Sequence, residues 1–524
     1  MSRHQIHHYL YVLLMAALCV AIPLSRYMTS MMLIFLLANW LIEADFKAKW
    51  QRIKEHKSAI LAFLFLFVMV LGFVRADNFV EALDYWSCKL PLYLAPVIVA
   101  SSQPYKRKEL FFILGCFVLS VLFATIYSSI YYLKNDVADI REISVFISHI
   151  RFSLCIDVAI VLLLYFVFRE KDVPVMGRWC AAVLCVWITV YLFIAQTLTG
   201  IVLLFMVAVA YGVCVLLYRW KEDTYRRMAT GMLCLVAIFV MLLAGETWRY
   251  FHVDQSQYTP VDTLTANGNP YVNDGNSIVE NGSLIGMYVC REELESAWSQ
   301  RSDVDFYNPM LEATLVRYLN SCHLRKDSAG VMALSEQDVR NIEQGIANVD
   351  YTSRFGLKRA LYPIFFSIEL YRCSGDVQNS TILQRVEYWR ASWKQIQKHW
   401  LFGVGLGKHK TAVGDQLAAD GSSLEGKDRT GCHNQWLTFW LMGGIFVLLY
   451  FVFMLIYPFF EQKKKITFVY VAFFIILVGS MFTEDTLETE SGLTLFAILN
   501  SILLYAFNLN RYEDTGTDLK DNRI

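Results

Sequence analysis

Charge is scarce in this sequence. Asp, Glu, Lys and Arg together make up 18% of its 524 residues, and the formal net charge is zero. Overall charge therefore gives no reason to expect nucleic acid or an acidic partner; in a multi-span protein what matters is the side on which charges lie. Close metal-ligand spacing is also lacking among four of the 12 cysteines. Most sit in or beside apolar runs as small packers. Cys290, Cys322, Cys373 and Cys432 fall within or at the end of the long polar stretch before the 432–460 run and far from one another, which disfavours a zinc site but leaves three possible disulfide pairings in an oxidising compartment. No small-x-small cleavage site follows the N-terminal run "MSRHQIHHYLYVLLMAALCVAIPLS", and further apolar runs come at once. It reads as a first membrane helix, not as a removed signal.

What the sequence has in abundance is apolar length. Hydrophobic residues are 56% and aromatics 15% of the chain, collected in runs rather than at amphipathic spacing. Segments of the length needed to cross a bilayer, or close to it, fall at 9–25, 27–42, 58–74, 88–101, 110–133, 149–168, 178–196, 199–218, 227–245, 432–460, 467–482 and 489–508. The expected fold class is an all-α polytopic membrane protein of about twelve transmembrane helices, the short 88–101 segment with Pro91 and Pro96 being tilted, broken or re-entrant. Basic clusters at 47–57, 105–109, 219–227 and 461–465 alternate with acidic or mixed loops at 75–84, 134–142 and 483–490. Because Lys and Arg collect on the cytoplasmic side, both termini are expected inside and the long polar segment before the tenth span outside.

This divides the chain into an N-terminal membrane domain of about nine spans (1–245), an outer loop domain (246–431), a C-terminal membrane domain of about three spans (432–510) and an inner tail (511–524). The loop domain begins with Asn/Gly/Asp-rich turns and continues as helices. One is capped by Ser335 with Asp338 three residues on. Another, over 380–400, spaces Ile382, Val386, Trp389, Trp393 and Ile396 as one apolar face.

The chemistry candidates cluster on the outer side. "WLFGVGLGKHK" places Gly403, Gly405 and Gly407 before Lys408, without the gap and the Ser/Thr of a P-loop, so it reads as a tight turn. "DVD" at 303–305 is a tripeptide that chance supplies often. His433 and Asn434 open the tenth span; on its own such a histidine is more often an interfacial residue than a catalyst. Its company changes the weighting: His149 and Arg151 open the sixth span from the same side, and Arg385 leads the helix that feeds the Gly-rich turn. Ionisable groups at a membrane edge are costly and usually face a cavity. Two arginines suit a pyrophosphate, whose oxygens their planar forks can bind in pairs, and an imidazole titrating near neutrality can take a proton from a hydroxyl. Glu484, Asp485 and Glu488 reach the same side, where a solvated acidic turn is the default and orientation of the arginines the alternative. Asp157, inside the sixth span, is the one notable mid-membrane charge and the feature a glycolipid flippase or transporter would need.

"RVEYWRASWKQIQKHWLFGVGLG" followed after a spacer by "HNQWLTFWLMGGIFVLLYF" resembles the C-terminal signature of the lipopolysaccharide O-antigen ligase and O-antigen polymerase superfamily, and stretches such as "VENGS" resemble its Bacteroidetes members. The resemblance is specific over about 385–455 and implies a GT-C-like bundle with one large, mostly helical periplasmic loop. It implies a metal-independent, inverting glycosyltransferase of the bacterial inner membrane, needing no cofactor. The donor would be an undecaprenyl-pyrophosphate-linked glycan, and the acceptor lipid A–core, a growing glycan or a protein hydroxyl, with membrane lipids but no nucleic acid as partners. The family base falls on His433 and the pyrophosphate arginines on Arg151 and Arg385, with His149, Asn434, Gly403, Gly405, Gly407, Glu484 and Glu488 in support. Two departures stand out: "TLTG" at 197–200 lacks the arginine many members carry there, and Trp400 replaces the usual proline before the turn.

Overall fold

The computed structural model describes residues 2–135, 140–168, 173–218, 223–353, 356–377, 380–426, 429, 431–463 and 466–507. Two compact units are present, Met1–Leu233 with Glu387–Ile524, and Cys234–Val386. The second lies within the expected outer segment at its C-terminal end but begins earlier, inside the helix Asp223–Phe251.

The first unit is helical throughout. Each of the twelve apolar segments forms a helix, but not all are of spanning length. Seven described helices are long and apolar enough to cross a membrane: Arg3–Ala21, Arg107–Lys134, His149–Phe168, Val175–Ile194, Leu198–Leu217, Ala229–Phe251 and Gln435–Glu461. Arg26–Glu43 with Phe46–Ile53, bent by 112°, makes an eighth if the pair is one span. Lys57–Phe73, Phe468–Ser480 and Glu490–Ala506 are apolar but shorter, and Leu90–Ser101 has only 12 residues. The chain is thus an all-α, multi-pass membrane protein with seven or eight helices of spanning character.

The unit packs pairwise: Arg3–Ala21 lies on Arg26–Glu43 and Arg107–Lys134, His149–Phe168 on Val175–Ile194, and Lys57–Val68 on Leu90–Ser101 and Gln435–Glu461. Phe65, Phe117, Phe439, Phe451 and Phe473 are among the fully buried rings. Phe65 alone meets Tyr93, Phe439, Tyr450 and Phe451, each with ring centroids within 6 Å. Edge-on and offset contacts of this kind add to the area such large side chains bury.

The second unit is built differently. A two-stranded hairpin, Val279–Glu280 with Ser283–Leu284, precedes the helices Arg291–Trp298, Leu311–Ser321, Glu336–Glu343 and Leu357–Ser374. Trp298, Leu315, Tyr318, Leu319, Val331 and Ile342 form its core. Ser335 caps its helix as expected: its hydroxyl accepts from the Asp338 N–H while the Asp338 carboxylate accepts from the Ser335 N–H. Several buried polar groups are paired here, although the Tyr250 and Tyr351 hydroxyls are buried without a hydrogen-bond partner. Arg317 donates twice to Glu280 (2.8 and 3.0 Å) with its guanidinium over the Phe366 ring, and the Asn348 amide donates to the same carboxylate. "DVD" is a turn in which the Trp298 indole donates to the Val304 carbonyl.

All 12 cysteines are free, and none of the three pairings left open for Cys290, Cys322, Cys373 and Cys432 is formed. One expectation needs correction. On the helix Thr381–His399 the face buried toward its C-terminal half is Tyr388, Ala391, Ser392 and Ile396, whereas Trp393 is exposed and stands edge-on to Trp440. Spacing identified a helix there but set its inner face about one position off.

Candidate functional site

The site is organised by a loop and a kink. The helix Gln435–Glu461 is broken at Gly444, whose backbone (φ 76°, ψ −170°) is not helical. The Gly-rich turn docks into that break: the Ile445 N–H donates to the Trp400 carbonyl, the Val404 N–H to the Leu441 carbonyl and the Leu406 N–H to the Gly72 carbonyl. A Cβ on Gly444 would run into the Leu401 carbonyl oxygen, and one on Gly403 into that of Leu441. Only glycine permits backbones to approach so closely with φ in the left-handed region. Gly405 faces the Arg75 carbonyl in the same way and Gly407 lies by Glu81. The glycines lock two elements together, and the N–H groups of Val404 and Leu406 are spent inside the protein.

His433 lies at the mouth of this helix in the left-handed conformation, φ 46°, uncommon for a residue with a side chain. Asp485 holds it there. One carboxylate oxygen accepts from the His433 N–H (3.0 Å); the other accepts from the Asn434 N–H (2.9 Å) and the Thr438 hydroxyl (2.8 Å). Asn434 caps the helix, accepting from the N–H groups of Trp436 and Leu437, and its amide donates to the Phe482 carbonyl. The backbone of His433 is therefore fixed from three sides. Its ring, 5.1 Å from that of Tyr388, makes no hydrogen bond among the described residues, which leaves both nitrogens open to a substrate.

The acidic loop that carries Asp485 is not a solvated turn. Glu484 is buried, and Arg151, itself 8% exposed, spans the loop: Nη1 donates to Glu484 (2.9 Å), Nη2 to the Asp485 carbonyl (3.2 Å) and Nε to the Thr489 hydroxyl (3.2 Å). A guanidinium has five N–H groups, so two remain. Glu488 accepts from the Gln435 amide (3.0 Å) and lies 3.0 Å from Lys89 Nζ; burial pushes its carboxyl up to about 8. His149 starts the Arg151 helix with Nδ1 3.2 Å from the Ser144 hydroxyl. Arg385 belongs to the other unit, one turn into Thr381–His399, with Nη1 3.5 Å from the Thr381 carbonyl.

Sequence reasoning brought His433, Asn434, Arg151, Glu484 and Glu488 to one loop system, but missed its neighbours Lys89, Tyr85, His409 and Lys410. The signal for the last two was "GKHK", where a histidine between lysines follows the turn.

No curated protein matches the chain. Residues 354–452, which include the Gly-rich turn, His433 and the kink at Gly444, match the family model described as O-antigen ligase, and to that family this stretch is similar.

Proposed function

We propose that the protein is an O-antigen ligase: a membrane glycosyltransferase that moves an oligosaccharide from undecaprenyl pyrophosphate to a hydroxyl of lipid A–core at the periplasmic face of the inner membrane. The observation that carries this reading is an imidazole, open at both nitrogens and clamped through its backbone, inside the stretch that matches the O-antigen ligase family. The topology that goes with it has twelve spans, both termini inside and the segment before the tenth span outside.

In this mechanism His433 takes the proton of the acceptor hydroxyl as its oxygen attacks the anomeric carbon. The bond from that carbon to the phosphate oxygen breaks, the pyrophosphate leaves on the polyprenyl chain, and the new glycosidic bond has inverted configuration. Arg151, through the two N–H groups left over from the loop, neutralises the leaving pyrophosphate. The donor bond supplies the free energy, so neither ATP nor a metal is required.

Deleting the gene and running the lipopolysaccharide on a gel tests the acceptor. Bare core is the result expected. Core carrying one repeat points to a polymerase, and intact ladders with altered glycoproteins to a protein transferase. Complementation with His433→Ala should restore no ladder, since positioned general bases contribute about 10²–10⁴-fold; full rescue would refute the base.

A further inference from the structure

The helix His409–Ala419 begins without a side-chain cap, so its first N–H groups are open at the positive end of the helix dipole. The residues around that end carry donors that are not used inside the protein. His409 is 1% exposed, yet neither ring nitrogen has a partner. Its ring stands edge-on to that of Tyr85 at 5.3 Å, and the Tyr85 hydroxyl is likewise buried without a partner. Lys410 is exposed, and among the described residues it forms no ion pair. Lys89 Nζ lies 4.9 Å from the Tyr85 ring centroid.

The nearby carboxylates are already engaged. Glu488 faces Lys89 and Gln435, and Asp485 holds the His433 and Asn434 N–H groups. Buried donors short of acceptors are relieved by a ligand that brings several oxygens and negative charge. Burial, with Lys410 and Lys89 beside it, holds the His409 imidazole down near about 3, so it meets an anion as a neutral donor. The place is next to the base: a Cβ on Gly431 would lie 3.4 Å from Lys410 Cγ and 3.5 Å from Asp485 Oδ2, the oxygen that accepts from the His433 N–H.

We propose that Tyr85, His409 and Lys410, with the open N-terminus of the His409–Ala419 helix, form an oxyanion seat beside His433 that holds the diphosphate of a polyprenyl-linked donor. This rests on the ligase reading, and it adds to Arg151 a second set of residues that hold the diphosphate. Arg151 also positions, since three of its N–H groups keep the Asp485 loop in place.

The test is binding to the purified full-length protein in detergent, with geranylgeranyl diphosphate and inorganic pyrophosphate as separate probes. Lys410→Ala and His409→Gln should each weaken both probes at least tenfold, and Tyr85→Phe by a smaller factor. Lys408→Ala, whose lysine pairs with Asp77, should stay within twofold of wild type. Lys410 is exposed, so its variant keeps the test valid if the His409 variant fails to fold. Geranylgeranyl diphosphate affinity unchanged in Lys410→Ala would overturn the proposal. Inorganic pyrophosphate weakened alone would overturn it too, as a seat for the free anion only. His433→Ala should bind both probes normally while losing transfer, so failure of the base and failure of the seat give different results.

Discussion

Glu293, in the unit Cys234–Val386, is buried, and burial alone would push its carboxyl up; it is instead drawn down to about 2 by the side chains of Ser328, Thr265 and Asn269 and by the Ser328 N–H. Glu488, in the membrane unit, accepts from Gln435 and meets Lys89, and burial pushes it up to about 8. The residue type is the same and the count of donors differs. A carboxylate with four donors is part of the scaffold, because the charged form is the one its surroundings were folded around. One with half as many sits near its own titration point at neutral pH, as do groups at sites that must accept and release charge. The same contrast separates the Glu280–Arg317–Asn348 network from the unpartnered His409 and Tyr85.

The largest expected effect comes from Asp485, the carboxylate that joins the two kinds of environment. It is saturated like Glu293 but serves the backbone of His433. Asp485→Ala frees the left-handed His433 to relax, and displacements of about 1 Å near a reacting group cost on the order of 10²-fold. Transfer assayed on the purified enzyme should fall by about that factor while diphosphate binding changes little. A loss confined to binding would separate Asp485 from the base.

Next is Glu293→Gln, which turns an NH₂ toward donors and should cost about 2–3 kcal/mol. Hydrogen exchange over residues 260–350 should rise while transfer persists in molecules still folded. The pH dependence has a definite sign. The folded carboxyl titrates near about 2 and the unfolded one near 4.5, so the stabilisation is complete above 4.5 and is lost as pH falls toward 2. Thermal scans of wild type should decline across that window, and those of the Gln variant should decline less.

How far the sequence revealed these environments depended on the range of the interaction. Apolar length located all twelve helical segments, because burial in lipid or in a core needs only composition. It did not reveal that 58–74 passes from α-helix into a 3-10 turn over Met69–Phe73, where Gly72 gives its carbonyl to Leu406, nor that the 468–480 helix stops at 13 residues. Helix ends are set by distant backbones that pattern cannot see. His433 and Asn434 were legible because His-Asn opens an apolar run. The Asp485 clamp and the Tyr85–His409 contact join residues more than fifty and more than three hundred positions apart, and nothing local marks them.

The smallest effect should be that of Glu488→Gln. At pH 6 the carboxyl already holds its proton, so the amide replaces a neutral group with a neutral group and the change should be under about 1 kcal/mol. The difference lies in slope. The folded protein keeps a proton between pH 4.5 and about 8 that the unfolded chain gives up, so stability falls as pH rises through that window, the opposite of Glu293. Glu488→Gln should flatten that fall while leaving the acid limb below 4.5 intact, and Glu293→Gln should do the reverse. Melting temperatures of the two variants across pH 3–9 therefore decide whether donor count sets the two carboxyls apart: parallel curves would mean that it does not.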